Sequence, residues 1–499
     1  MTTTWWVVTA VGQAESGSDL SVQMFARFAA MTRVHAFADD ALQDLDAVGL
    51  VAAYREGLSI PEVIDAAIAR AGVVDERLGA LAHEAFDRAR REAKDPRPGF
   101  FAGVPTFIKD NVDVAGMPTQ HGSDAFVAQA VKSDGDFARM YLATGLIPLG
   151  KSRLSEFGFS GAVDHPRLGP VRTPWHTDHY AGASSAGSAA FVAAGVVPIA
   201  HANDGGGSIR IPASVNGLVG LKPTRNRLAQ DKMFRDLPVR IISDGVLTRS
   251  VRDTAAFYRE AEKVFRHPKL APIGDINRPG RSRLRIAVVT RGIGRDASAE
   301  VRELTLKTAS LLESLGHQVV EIDPPLPARF ADQFVLYWSG LALGIVKGGR
   351  RQHGPTWDPS QLDNLTLGLA RHCQRNLHKL PLAIAGMGAS ARLAAKHHAT
   401  YDVTLTPTLA TTTPRVGHLD PTADYEQVMD RLKDWVAFTP AQNATGEPAI
   451  SLPLATTATG LPQGMMFGAG RGREARLMEL ALELEEAAPW PRIQDRIQA

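Results

Sequence analysis

The sequence predicts an α/β fold: helices flanking a central sheet of mostly parallel strands, with a helical insertion set on it. Three observations carry this. Residues 284–289, 297–315 and 319–320 read as strand, helix and strand, with Gly316 where a C-cap glycine belongs, and such a unit implies parallel pairing. Between 103 and 224, short apolar runs such as 145–149 and 196–202 are bounded by Gly, Ser and Pro, the pattern of strands buried on both faces. Residues 325–400 carry Tyr337, Trp338, Trp357 and His372 with no clear strand. They are the candidate helical cap, although an ordinary helical insertion packed on the core has the same texture.

Along the chain, residues 1–40 form a lead-in; its apolar run Trp5, Trp6, Val7 and Val8 has no basic segment before it and is too short for a secretory signal. Residues 41–499 read as one domain, with the chemistry-bearing core at 103–228. Ser59 and Glu62 make a capping box, after which Ile60, Val63, Ile64, Ala67 and Ile68 recur at helical spacing. Leu81, Ala85 and Ala89 suggest another helix. Residues 401–405 and 449–452 add strands, and 475–486 a closing helix.

A chain of 499 residues, 44% hydrophobic and 22% charged, buries enough surface to fold without a disulfide or metal. Its 55 basic and 53 acidic residues are interspersed, to a net charge of +2. Nothing forms the clustered basic face that nucleic acid requires. Cys373 is the single cysteine, which fits a reducing cytoplasm. Residues 181–200 carry no charge, but Ala, Gly and Ser gain little on transfer into lipid. A tightly packed helix and strand is the better reading, and no membrane partner is expected.

The densest chemical signal is Asn203-Asp204-Gly205-Gly206-Gly207-Ser208-Ile209-Arg210. Consecutive glycines allow positive φ and close approach, so their N–H groups can converge on an anion. A serine beside such donors suits acyl transfer, where the attacked carbonyl oxygen turns negative; each donor is worth roughly 10²–10³ in rate. A phosphate loop is the plainer alternative, but the Gly-Lys-Ser/Thr ending and G-x-G-x-x-G spacing are both missing. Upstream, Gly182-Ala183-Ser184-Ser185-Ala186-Gly187-Ser188 resembles a nucleophile elbow without the strand that must precede it. A serine-rich helix start accounts for it equally. Lys109 ends the apolar run 104–108. A lone lysine at a strand end usually faces solvent, but a buried one loses several pKa units and can act as a general base.

Together these segments resemble the amidase signature family. The likeness runs through 182–224, with support from 103–123, Gly150-Lys151-Ser152, Glu156-Phe157-Gly158, 401–407 and 445–453. The resemblance implies a large mixed, mostly parallel sheet flanked by helices. It implies Ser208 as nucleophile, Ser184 as a bridging serine after a cis peptide, and Lys109 as base. It further implies an oxyanion hole from the N–H groups of Gly205, Gly206, Gly207 and Ser208, with Asp204, Arg210 and Ser185 in support. No metal or organic cofactor is implied; His397 and His398 are expected to point apart on a helix.

The expected activity is therefore hydrolysis of amide C–N bonds, with carbamates (urethanes) and esters sharing the carbonyl chemistry. The partner is a small-molecule amide or carbamate, and a homodimer is compatible with the sequence. Asn203 stands where the family commonly has Thr, Asn216 where Cys is frequent, and Ala183 and Ala186 replace two turn glycines. The Asn-Asp-Gly-Gly-Gly-Ser form is similar to the branch holding nylon-oligomer cyclic-amide hydrolases and urethane-cleaving amidases. The rival readings are a glutamine amidotransferase-type subunit and a non-catalytic binding protein on the same fold. A Ser-x-x-Lys hydrolase is excluded, because no lysine has serine three residues before it.

Overall fold

The apolar runs 145–149 and 196–202 lead into strands in this computed structural model, which describes residues 33–495. A small sheet joins β1 (Leu81–Glu84), β2 (Pro105–Lys109) and β3 (Ile147–Ser152) in the order β1-β3-β2. The large sheet has eight strands. In chain order they are β4 (Ile199–Asp204), β5 (Val219–Lys222), β6 (Ser243–Thr248), β7 (Arg285–Val288), β8 (Gln318–Glu321), β9 (Val403–Pro407), β10 (Ala449–Thr456) and β11 (Pro462–Ala469). Their spatial order is β8-β7-β9-β11-β10-β5-β6-β4. The two sheets meet where Thr106 Oγ1 donates to Ile199 O at 2.9 Å and the Lys109 N–H to His201 Nδ1 at 3.3 Å.

The helices that matter for the site are α1 (Ile60–Leu78), α2 (Phe86–Lys94), α3 (Ala186–Ala193), α4 (Arg210–Asn216), α5 (Ala299–Ser314), α6 (Arg329–His353), α7 (Asn364–Arg375), α8 (Leu380–His397), α9 (Tyr425–Trp435), α10 (Pro440–Thr445) and α11 (Glu474–Ala487). Ser59 caps α1, its Oγ accepting from the Glu62 N–H. The stretch 329–397 is helical and contains no strand.

The large mixed sheet flanked by helices is as expected; the direction of its strands is not. Only β8/β7 and β7/β9 pair parallel in the large sheet, and every other neighbour in it is antiparallel. The unit β7–α5–β8 does run parallel. So do β4 and β5 across α4, but β6 inserts between them and reverses both contacts. An apolar run reports burial on both faces and says nothing of which strand arrives beside it. Residues 81–84, expected as helix, form β1 instead, because β3 offers them an antiparallel partner; the helix begins at Phe86. His397 and His398 are not apart either. Their rings touch edge to face at 4.9 Å, both drawn toward the segment after α8, by Thr404 Oγ1 at 2.7 Å and Tyr401 O at 3.1 Å.

Of the expected lead-in, residues 1–32 lie outside the described residues. The segment from Val34 to Asp40 is tied down: the Val34 and Ala36 N–H groups donate to Pro174 O and Ala194 O at 2.8 Å, and Arg70 holds Asp40 at 2.6 Å.

The main core lies between the sheets and their helices, with Val63, Phe107, Phe191, Val246 and Leu477 fully buried. Each such side chain contributes about 1.5–3 kcal/mol. The uncharged stretch 181–200 is packed here as α3 and β4, and no described helix is long and apolar enough to cross a membrane. In α3, a Cβ on Gly187 would stand 2.4 Å from Ala80 O and 2.6 Å from Arg153 N. Backbone atoms cannot swing away as side chains do. Gly187→Ala is therefore expected to cost about 1–3 kcal/mol, read by urea unfolding; an unchanged midpoint would contradict the packing.

Candidate active site

Strand β2 ends with Lys109 wholly buried. Its Nζ is 2.7 Å from Ser184 Oγ, 2.7 Å from Asn203 Oδ1 and 3.3 Å from Asn203 O. An ammonium would donate to all three; a neutral amine has two protons and one lone pair. In the neutral form the two Asn203 oxygens take the protons, which leaves the lone pair for the Ser184 hydroxyl. Asn203 is held in turn by Asn111, each amide donating to the other's oxygen at 3.0 and 3.2 Å. Burial pulls the Lys109 amine down to about 7, against Asp244 and Asp204, whose charges favour the ammonium.

The period of two along β4 explains the surroundings. His201 and Asn203 share one face, toward Lys109, while Asp204 points to the other. His201 Nδ1 accepts from the Lys109 N–H, so Nε2 carries the proton and donates to Asp244 Oδ1 at 3.2 Å. Burial keeps His201 neutral, pushing its pKa well down with help from Lys109. Asp244 sits opposite Asn203 across the β4/β6 ladder. Burial raises its carboxyl to about 7, opposed by Asn203 and Lys109.

Ser184 is buried and follows a cis peptide from Ala183. Ser185 Oγ donates to Asn203 O at 3.3 Å. Lys109, Ser184, Ser185 and Asn203 are thus brought together. Ser208 lines the neighbouring pocket with Ala183, Gly205 and Gly206. Among the described residues its hydroxyl makes no hydrogen bond, so the Lys109–Ser184 link is closed and a Ser184–Ser208 link is not.

Asp204 organises the loop. Burial alone would raise its carboxyl, but the Arg210 guanidinium holds it well below the usual carboxylate range. The pair is fully buried and two-pronged, Nε to Oδ2 at 2.8 Å and Nη2 to Oδ1 at 2.9 Å. Arg210 also donates to Gln442 Oε1 and Asn443 Oδ1 of α10, and Asn443 Nδ2 donates to Asp204 Oδ1 at 2.8 Å.

The expected set of oxyanion donors needs one correction. The Gly207 N–H donates to Asp204 Oδ1 at 2.7 Å and is spent. Gly205, Gly206 and Ser208 line the pocket and Gly207 does not. Gly207 instead answers a conformational demand. Its φ is +140°, and a Cβ there would meet Thr439 Oγ1 at 2.4 Å.

The pocket encloses about 150 Å³. Phe334, Val335, Trp338 and Leu341 of α6 wall one side, and Met429, Leu432 and Lys433 of α9 another. Phe157, Phe159, Ile211, Ile241 and Ile242 add to the apolar lining. His201, Asp244, Asn111, Gln442 and Asn443 were not read as site residues from the sequence. The alternation of His201 and Asn203 on a strand running into the glycine loop is the one local signal that points to any of them.

The chain is similar to known proteins along most of its length. The model of the Amidase family matches residues 62–478. The AmiC protein of Mycobacterium leprae, an amidase by name, is 64% identical over 466 residues, 93% of this chain and 99% of that one. The 6-aminohexanoate-cyclic-dimer hydrolase of a Pseudomonas species is 30% identical over 474 residues, 89% and 95% of the two chains. A solved structure of 6-aminohexanoate cyclic dimer hydrolase complexed with substrate superposes with a TM-score of 0.81 at 28% identity, covering 91% of this chain and 99% of that one. Fold and relatives together define an amidohydrolase, an enzyme that cleaves amide C–N bonds. The chain belongs to the amidase signature family.

Two outcomes test this geometry. Arg210→Met leaves a desolvated carboxylate at Asp204 and is expected to cost about 3–5 kcal/mol in chemical unfolding; a neutral effect would refute the pairing. Asp244→Asn removes an anion that favours the Lys109 ammonium, so the amine should titrate lower than in the parent protein. Nitrogen NMR of lysine-labelled protein reads that midpoint, and a rise would contradict the coupling.

Proposed function

We propose that this enzyme hydrolyses amides of apolar, small-molecule substrates through an acyl intermediate on Ser208, with Lys109 as base and Ser184 as proton bridge. The observation that carries it is the buried Lys109 amine, 2.7 Å from Ser184 Oγ with two Asn203 oxygens placed to accept the protons of its neutral form. The neutral amine takes the Ser184 proton, and Ser184 takes the Ser208 proton as Ser208 Oγ bonds to the carbonyl carbon. This step needs the Ser208 hydroxyl to turn toward Ser184 when substrate enters. The carbonyl oxygen becomes an oxyanion facing the N–H groups of Gly205, Gly206 and Ser208, worth roughly 10²–10³ in rate per donor. The C–N bond then breaks, the proton returns through Ser184 to the departing nitrogen, and an amine leaves. Water repeats the path, its proton passing to the relay as its oxygen bonds to the acyl carbon, and the acid is released from Ser208.

The pocket's apolar walls favour substrates with an aliphatic or aromatic body, in keeping with the name of the cyclic-dimer hydrolase it resembles. Carbamates and esters offer the same carbonyl and are further candidate substrates. The helical stretch 329–397 acts as the cap, since α6 supplies one wall of the pocket. The free thiol of Cys373 is buried, and a cytoplasmic location fits it.

Ser208→Ala should lose at least about 10³-fold in kcat/KM, and Lys109→Met about 10²–10⁴-fold. In the parent enzyme, kcat/KM should fall tenfold per pH unit below about 7, because protonation fills the lone pair that Ser184 needs. A fluorophosphonate should label Ser208, as located by peptide mass. Labelling of another residue, or a Lys109 variant with undiminished rate at neutral pH, would overturn the assignment.

A further inference from the structure

The residues of α9 that line the pocket are Met429, Leu432, Lys433 and Val436, the last just past the helix end. That spacing of three, four and seven is one face of a helix, so Lys433 belongs to the stripe that forms the wall. It is the only charged residue lining the pocket among those described. An aliphatic stem laid along apolar surface with its ammonium in water is ordinary for lysine. What singles out Lys433 is the lack of a counter-charge. The acidic residues flanking it, Asp430 and Asp434, are both taken by Arg295, at 2.7 and 2.5 Å. Lys433 itself forms no ion pair among the described residues.

We propose that Lys433 selects amides that carry a carboxylate, separated from the scissile bond by an apolar body. The inference rests on the hydrolase reading above and deepens it. The body fills the space between Trp338 and Leu432, the carbonyl lies at Ser208, and the anion reaches the exposed ammonium at the rim. Because that ammonium is exposed, the contact resembles a surface ion pair, of order 1 kcal/mol or about fivefold in affinity at low salt, and it is weakened by added salt.

The test compares two matched pairs of substrates at low ionic strength. One pair is the mono-p-nitroanilide of adipic acid against hexanoyl-p-nitroanilide, with the carboxylate on the acyl side. The other is N-hexanoyl-4-aminobenzoate against hexananilide, with the carboxylate on the amine side. In at least one pair the anionic member should show about fivefold higher kcat/KM, expressed in KM. That ratio should fall to about one in Lys433→Ala, invert in Lys433→Glu, and shrink as salt is added. Taking the ratio within one preparation cancels any loss of folded enzyme. Hydrolysis of both members with no preference in either pair, or a preference that survives in Lys433→Ala, overturns the role of Lys433 and leaves the hydrolase reading standing. Failure to hydrolyse any of the four overturns both.

Discussion

A lysine amine removed from water and still provided with hydrogen-bond partners is the constraint around which this protein is built. Desolvation makes the charged form costly, and the Asn203 oxygens satisfy the protons that the neutral form retains. The remaining lone pair can then meet only the Ser184 hydroxyl. Asn203 does this with both its carbonyls because the end of β4 turns there into the glycine loop. Its amide cannot rotate freely while Asn111 grips both ends. A threonine at this position would keep the main-chain carbonyl but would offer no side-chain carbonyl to the amine.

A second buried charge fixes the other half of the site. Asp204 follows Asn203 by one residue and therefore faces the opposite side of β4, where Arg210 neutralises it. Its remaining lone pairs take the N–H groups of Gly207 and Ile209, which folds the loop back on itself. The donors left over are those that face the pocket. One strand thus sets the contacts of Lys109 on one face and the glycine loop on the other, and α10 ties the loop to the far side through Gln442 and Asn443. The apolar walls from α6 and α9 carry no part of this polar network. They can differ in shape without disturbing it.

Much of this was legible in the chain. The glycine loop, the paired serines and the lysine at a strand end are local patterns, as are the capping serine of α1 and the unit β7–α5–β8. Each depends on neighbours in sequence. The strand directions were misread, because whether β6 or a parallel strand arrives beside β4 is settled by long-range packing. Gly207 was misassigned for a related reason. A run of glycines announces free N–H groups, but only the position of Asp204 shows which of them is already engaged.

The sequence by itself determined the class of chemistry and picked out the residues proposed to perform it, since the side chains and their glycine context are written in short segments. Only the tertiary structure decided that Lys109 is dry, that His201 and Asp244 stand behind it, and that Lys433 lines the pocket with no ion pair among the described residues. Burial and charge pairing arise between residues far apart in the chain. Energies of desolvation and pairing therefore exist only once those residues have been brought into contact.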